Sequence, residues 1–433
     1  MFWTLLRKEL LTHLLTLRLA IVLGCTVVLT ALTVVIGSLD YEQNWAVYKD
    51  READAKADFE AVRVYRQLDG LRWFIPAEPL SLLCRGSTQA SALTSSFGFE
   101  YIAQVPQPLG AADNDRLLTL SKVDFIQAIA LLLSFLALVL GFDGICGEAE
   151  RGTLTLLLSH PVPRATVLAA KFAGGLLTLW LPLAIAFCLA LLITLANPVA
   201  QLSSADWIRA ALLFALSCLF LAQLYGVALM VSASTRSSAT SLIVCLFLWL
   251  AGGGGFTSTL VSLSRYGVEE HTYPEYLVQR GKLWDRFGAT YDAWEANNPR
   301  PGPAFQKGSN TDGVLRYAHP EYYAWRTRQE AFRNPLLANL AVDADKLLAA
   351  GTTEPHIRQS LLIEDWSILS PFSSYVTIAK MLTRTSAHDR VSGGVAGRRF
   401  RAGVVSWLEA RGAYGDRRWF TDDPPNQEPM IAH

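Results

Sequence analysis

The chain has 433 residues, a formal net charge of zero, 18% charged residues and 51% hydrophobic residues. Soluble domains carry about 25% charged residues, and the deficit here is confined to five apolar blocks separated by ordinary polar sequence. That pattern points away from a soluble globular protein, and zero net charge gives no electrostatic basis for nucleic-acid binding.

In chain order, Phe2 to Leu17 reads as an amphipathic helix. Trp3, Leu6, Leu10, Leu14 and Leu17 share one face, and Lys8, Glu9, Thr12 and His13 the other, as in a helix lying in a membrane interface. Leu19 to Leu39 is an uninterrupted apolar run, ~30 Å long as a helix, which matches the hydrocarbon thickness and exceeds a signal-peptide core. Arg7, Lys8 and Arg18 precede it, which predicts a cytoplasmic N-terminus.

Residues 40–124 are polar and are expected outside the membrane, helical over 41–71 and with short strands between Gly70 and Gly110. A second span is predicted at 125–142, with Gln127 and Ser134 as polar interruptions. A charged loop follows over 143–170. Further spans are expected at 171–196, 207–231 and 239–263. The third contains Pro182, which should kink it. The fifth contains Gly252, Gly253, Gly254 and Gly255, read as a site of close helix packing or a flexible point. Arg209 is placed to snorkel outward. The short loops assigned inside carry Arg151, Arg164, Lys171 and Arg236, whereas 197–206 carries no Lys or Arg, so positive residues lie inside. Residues 264–433 are expected as a large extracytoplasmic region, helical over 274–296, 319–332, 335–350, 355–366, 372–385 and 394–412. Its many Trp and Tyr residues read as a helical core rather than a ligand surface.

The six cysteines show no CxxC or Cys/His spacing, and no histidine sits in an HExxH pattern, so neither a disulfide framework nor a metal site is expected. No GxxxxGK[ST] phosphate loop and no GxSxG elbow is present, so no catalytic residue is assigned. The predicted spans hold no mid-span Asp, Glu or Lys, which argues against a proton relay or an ion channel.

The stretch Gly147 to Lys171 is the most informative. Glu148 and Glu150 suit the positive end of a short helix. Leu154, Leu157 and Leu158 offer one apolar side to a groove on a partner, and Pro161 and Pro163 make a stiff corner. With Phe142-Asp143, Gly147-Glu148, Gly152-Thr153-Leu154, Ser159-His160-Pro161-Val162-Pro163-Arg164 and Lys171, this stretch resembles the loop of ABC-2 type permeases, and Arg7-Lys8-Glu9 is similar to the elbow helix of that family. The resemblance covers residues 1 to about 263.

The resemblance implies an all-α polytopic membrane protein with an ATPase-coupling loop at Glu148, Glu150, Arg151, Gly152, Thr153, Leu154, Pro161 and Arg164. It also implies a separate ABC ATPase subunit that uses ATP, a second permease copy or paralogue, export as the direction, and a bacterial inner membrane. The chain itself would need no cofactor. The family pattern has six spans and five are counted, so the sixth is expected to be missing by truncation or absent in a five-span variant. The competing expectation is a membrane-anchored extracytoplasmic scaffold without transport.

Overall fold

The structure is a computed structural model that describes residues 2–68, 72–84, 93–96, 107–108, 124–153, 163–267, 272–301, 320–349 and 355–419. It is an all-α polytopic fold. Among the described residues, four helical stretches are long and apolar enough to cross a membrane, at 19–60, 125–150, 164–196 and 204–234.

Helix α1 (Phe2–Leu14) is followed after two residues by α2 (Leu17–Glu60). The 44 residues of α2 span ~66 Å. Nothing between Leu39 and Glu60 breaks a helix, so the apolar span and the charged segment after it form one rod. A three-stranded antiparallel sheet, β1 (Arg72–Ile75), β2 (Leu93–Ser96) and β3 (Gln107–Pro108), follows.

The second predicted span is divided. Asp124 caps α3 (Phe125–Ala128) by accepting from the Gln127 N–H, a π-helical turn occupies Ile129–Leu133, and α4 (Ser134–Gly141) completes it. The short α5 (Cys146–Glu150) lies in the loop that comes next. Helix α6 (Arg164–Ala196) runs through Pro182, which is buried. Helix α7 (Ser204–Ser234) opens with a capping box between Ser203 and Asp206. The fifth predicted span is α8 (Ser238–Leu250), a second π-helical turn at Ala251–Gly255, and α9 (Phe256–Gly267).

The remaining helices are α10 (Thr272–Asn297), α11 (Pro320–Ala349), α12 (Pro355–Trp366), α13 (Pro371–Leu382) and α14 (Ala387–Ala410). The two helices expected at 319–332 and 335–350 are one, because α11 continues through Pro335.

The main core joins α3, α4, α6 and α7, and α13 is seated in it. Phe372, Tyr375 and Ala379 pack with Phe220, Leu221 and Leu224. The Tyr375 and Phe220 rings stack at 4.4 Å, and the buried Tyr375 hydroxyl is satisfied by Ser217 at 2.9 Å. So α13, although only 12 residues long and inside the stretch expected to lie wholly outside the membrane, shares the core of the spanning helices.

Outward faces of α2 and α8 expose Val28, Leu32, Ile243 and Phe247, as helices surrounded by hydrocarbon do. A separate cluster joins Val62, Tyr65 and Leu68, just past α2, to Leu408, Tyr414 and Trp419. The rings of Trp294, Phe332 and Trp325 pack between α10 and α11, and Trp325 Nε1 donates to Asn298 O at 2.7 Å.

Candidate functional site

At one end of the bundle, α1, α5 and α6 meet through four charges. Lys171 Nζ lies 2.9 Å from Glu148 Oε1 and 3.1 Å from Glu9 Oε1. Lys8 Nζ lies 3.6 Å from the same Glu148 oxygen and 3.9 Å from Glu9. The four groups therefore form a closed ring of alternating sign. The Lys171 side chain is 6% exposed, Glu9 12% and Glu148 17%, so the ring is shielded from water on the α6 side. Here a carboxylate–ammonium contact is stronger than at a surface, and removing one member strands the others.

The helices come close enough for this because of two glycines. A Cβ at Gly174 would lie 2.9 Å from the Glu9 Cβ, which is how α1 settles directly on α6. A Cβ at Gly175 would lie 2.0 Å from the Tyr225 ring, which occupies that space instead. The Tyr225 hydroxyl then donates to the Lys171 carbonyl at 3.2 Å. The backbone of Lys171 is thus held by α7 while its side chain holds α1 and α5.

Helix α5 is also tied to α7 and α8. The Ile145 and Cys146 N–H groups donate to Ser232 Oγ at 3.0 and 3.1 Å. Glu150 accepts from the Ser238 N–H at 2.9 Å and from its hydroxyl at 2.6 Å. These two bonds hold the Glu150 carboxyl below the usual carboxylate value. The expected macrodipole role fits Glu148, which lies in the first turn of α5. Glu150 closes α5 and serves the start of α8.

Of the other residues singled out in sequence, Gly152 ends this segment with φ +72°, a left-handed conformation that favours glycine. Thr153 Oγ1 donates to the Glu148 carbonyl at 3.2 Å. A Cβ at Gly147 would sit 3.2 Å from the Arg151 guanidinium, so Arg151 folds back over α5. Arg164 is exposed at the first turn of α6. Leu154, Leu157, Leu158 and Pro161 lie outside the described residues.

Sequence reasoning set out the loop but did not put Lys171, Glu9 and Lys8 in its site. The available signal was a lysine at the edge of an apolar span, which needs a carboxylate partner if buried. Its partner Glu9 is 162 residues away in sequence.

Pro182 is buried within α6. The glycines at 252–255 form the π-helical turn, and the Phe372 ring lies 3.4 Å from where a Cβ at Gly252 would be. The Gly252 carbonyl accepts from Ser370 Oγ at 2.9 Å. Beside the two π turns, Trp249 Nε1 of α8 donates to Ser134 Oγ of α4 at 2.8 Å.

At the opposite end, Asn197 Nδ2 donates to Ser38 Oγ at 2.7 Å and ties α6 to α2. Glu78 lies 3.0 Å from Arg384 and 3.8 Å from Arg209. Arg209, expected to snorkel outward, is paired with Asp206 at 2.9 Å.

Residues 3–408 match the family model described as ABC-2 family transporter protein. The chain is 41% identical over 104 residues to a probable ABC transporter permease protein NosY from Stutzerimonas stutzeri, covering 23% of this chain and 38% of that one. It is 41% identical over 123 residues to a protein of the same description from Pseudomonas aeruginosa, covering 27% and 43%. The chain thus spans about two fifths of the length of these curated relatives. The family match covers nearly the whole chain, a multi-pass helical bundle whose α5 loop is joined to α1 and α6: the protein belongs to the ABC-2 family of transporter proteins.

Proposed function

We propose that the chain is the permease subunit of an ABC transporter, driven by a separate ATPase that docks on the α5 loop from the cytoplasm. The observation that carries this reading is the Lys8–Glu9–Glu148–Lys171 ring. A loop that merely joined two helices would not need a buried lysine pairing it to both α1 and α6. Through the ring, a push on α5 is transferred to α6, and through Ser232 and Ser238 to α7 and α8. Two permease copies would enclose the path, with export as the direction and the bacterial inner membrane as the setting. ATP would be bound by the partner alone.

The test is affinity purification of the chain from its native membrane in mild detergent. An ATPase subunit should co-purify and should be lost when Glu148 and Arg151 are both replaced. Capture of an extracytoplasmic protein with no ATPase would favour a membrane-anchored scaffold and overturn the permease reading.

A further inference from the structure

The turn between α12 and α13 sits deep in the bundle. Tyr375 and Phe372 pack on Ser217 and Phe220 of α7, about 20 and 24 Å along that helix from Ser204, so Phe372 is about halfway down it. On the other side, Ser370 Oγ donates to the Gly252 carbonyl at 2.9 Å, and Gly252 lies about 21 Å along from Ser238 at the start of α8. The Phe372 ring rests on Gly252 and Gly253, where added Cβ atoms would stand 3.4 and 3.7 Å from it.

Both arms of the turn lead back to the same end of the bundle. Gln359 of α12 donates to Ser264 Oγ at 3.2 Å and to the Val261 carbonyl at 3.4 Å on α9. Residue 359 thus lies beside 261–264 and residue 370 beside 252, so α12 runs antiparallel to α9 and descends by about 14 Å as α9 rises. Helix α13 climbs beside α7 from Phe372 at Phe220 to the level of Arg384, whose partner Glu78 also faces Arg209 near the start of α7.

The residue types match this path. No charged residue occurs from Trp366 to Ala379, while Glu364-Asp365 precede the run and Lys380 follows it. The run is shorter than the ~20 residues of a spanning helix and has the length of a re-entrant segment. Glu364 and Asp365 both face His388 at the start of α14, at 2.9 and 4.0 Å. The backbone of the turn is satisfied, as irregular chain at membrane depth requires: the Ser370 N–H donates to the Ser367 carbonyl at 3.2 Å, and its hydroxyl serves Gly252. At the tip, Ile368 is 78% and Leu369 73% exposed. Phe247 and Leu250, just before the Gly252 seat, are exposed as well. Bulky projecting side chains are unlike helix–helix contacts within membranes, where small residues let backbones approach.

We propose that α12 and α13 form a re-entrant hairpin. It enters the bilayer at the end of the bundle opposite the charge ring, turns near the midplane and sets Ile368 and Leu369 against lipid acyl chains. The proposal rests on the bundle spanning a membrane and not on the docking of an ATPase.

The test is spin labelling of the full chain in phosphatidylcholine nanodiscs, with the six native cysteines replaced by alanine. Labels at Ile368→Cys and Leu369→Cys are compared with one at Phe247→Cys on α8 and one at Ala53→Cys, about 21 Å past the apolar part of α2. The tip labels should be relaxed by oxygen and shielded from a water-soluble nickel chelate, with an oxygen-to-nickel ratio within about twofold of that at Phe247 and well above that at Ala53. A ratio like that at Ala53 would put the tip in water and overturn the proposal. Shielding from both reagents would also overturn it: with spin–spin broadening a second copy covers the tip, and without broadening this chain does. A water-exposed label at Phe247 would remove the spanning bundle and the proposal with it. Should the cysteine-free chain show a lowered thermal midpoint, p-benzoylphenylalanine in place of Ile368 in the otherwise unaltered chain decides the matter. Irradiation should then add the mass of one phospholipid, attached through its acyl chain; a cross-linked dimer, or no lipid adduct, would overturn the proposal.

Discussion

At the residue scale, Lys171 is the position on which the described site depends most. Lys171→Met would leave Glu9 and Glu148 facing each other with no buried cation, and removing one partner of such a pair costs about 3–5 kcal/mol. The expected result is a clear fall in the thermal midpoint of the purified protein. Adding Glu148→Gln to Lys171→Met should recover part of that loss, and a strictly additive double variant would show that the ring is not a coupled unit. Tyr225→Phe deletes one hydrogen bond to the Lys171 carbonyl and should cost only about 1 kcal/mol. Gly175→Ala places a methyl where the tyrosine ring already lies, and overpacking of this kind costs about 1–3 kcal/mol or more; a denaturation series ranking it below Tyr225→Phe in cost would contradict the packing described. Glu150 has a pH signature. Its carboxyl is held below its ordinary value, so its bonds to Ser238 stabilise the fold above that ordinary value and are lost as pH falls through the lowered one. Exchange of the Ser238 amide followed against pH checks this, and Glu150→Ala should remove the dependence.

At the element scale, the legible parts of the sequence were those with local punctuation. Residues 355–366 form a helix with the expected limits because Pro355 opens it and the Ser370-Pro371 pair starts the next one. The limits of α2 were less legible. The apolar run ends at Leu39, and hydropathy marks that end, but backbone propensity continues unbroken to Glu60. The seat of α13 was not legible at all. Its 12 residues are too few to span, and its burial depends on Phe220 and Ser217, which are more than 150 positions earlier. The site divides in the same way: the α5 loop could be read from its residue types, whereas the ring needed Glu9 brought to Lys171 by folding.

The two π-helical turns belong to this scale as well. Such turns inside helices are common at functional positions; here the Trp249–Ser134 bond joins the residues flanking the two turns, and Ser370 donates to Gly252 within the second. Trp249→Phe and Ser370→Ala should each raise amide exchange over 251–255 while leaving α6 unchanged. Uniform exchange across both variants and the parent would mean that these bonds do not hold the turn.

At the scale of the whole molecule, the bundle is closed by polar ties at both ends. The charge ring joins α1, α5 and α6 at one end, and Asn197–Ser38 with Glu78–Arg384 and Glu78–Arg209 joins α6, α2, α7 and α13 at the other. Between them lies an apolar core whose buried hydroxyls mostly bond their own helix, as Thr178, Thr194 and Ser217 do to residues four positions back. Asn197→Ala should separate the far ends of α2 and α6, at a cost of about 1–3 kcal/mol for the buried groups it leaves unsatisfied. Its midpoint should fall further than that of Glu78→Ala, whose partially exposed pairs are worth about 0–1 kcal/mol.

Helix α2 makes the two regions of the molecule mechanically one. It starts beside the charge ring and ends at the Val62–Leu408–Trp419 cluster. As an unbroken rod ~66 Å long it acts as a lever arm, so that a tilt of about 5° at its base would sweep its tip through ~6 Å. A small displacement of α1 and α6 would thus arrive, enlarged, under the end of α14, without any intervening hinge having to move.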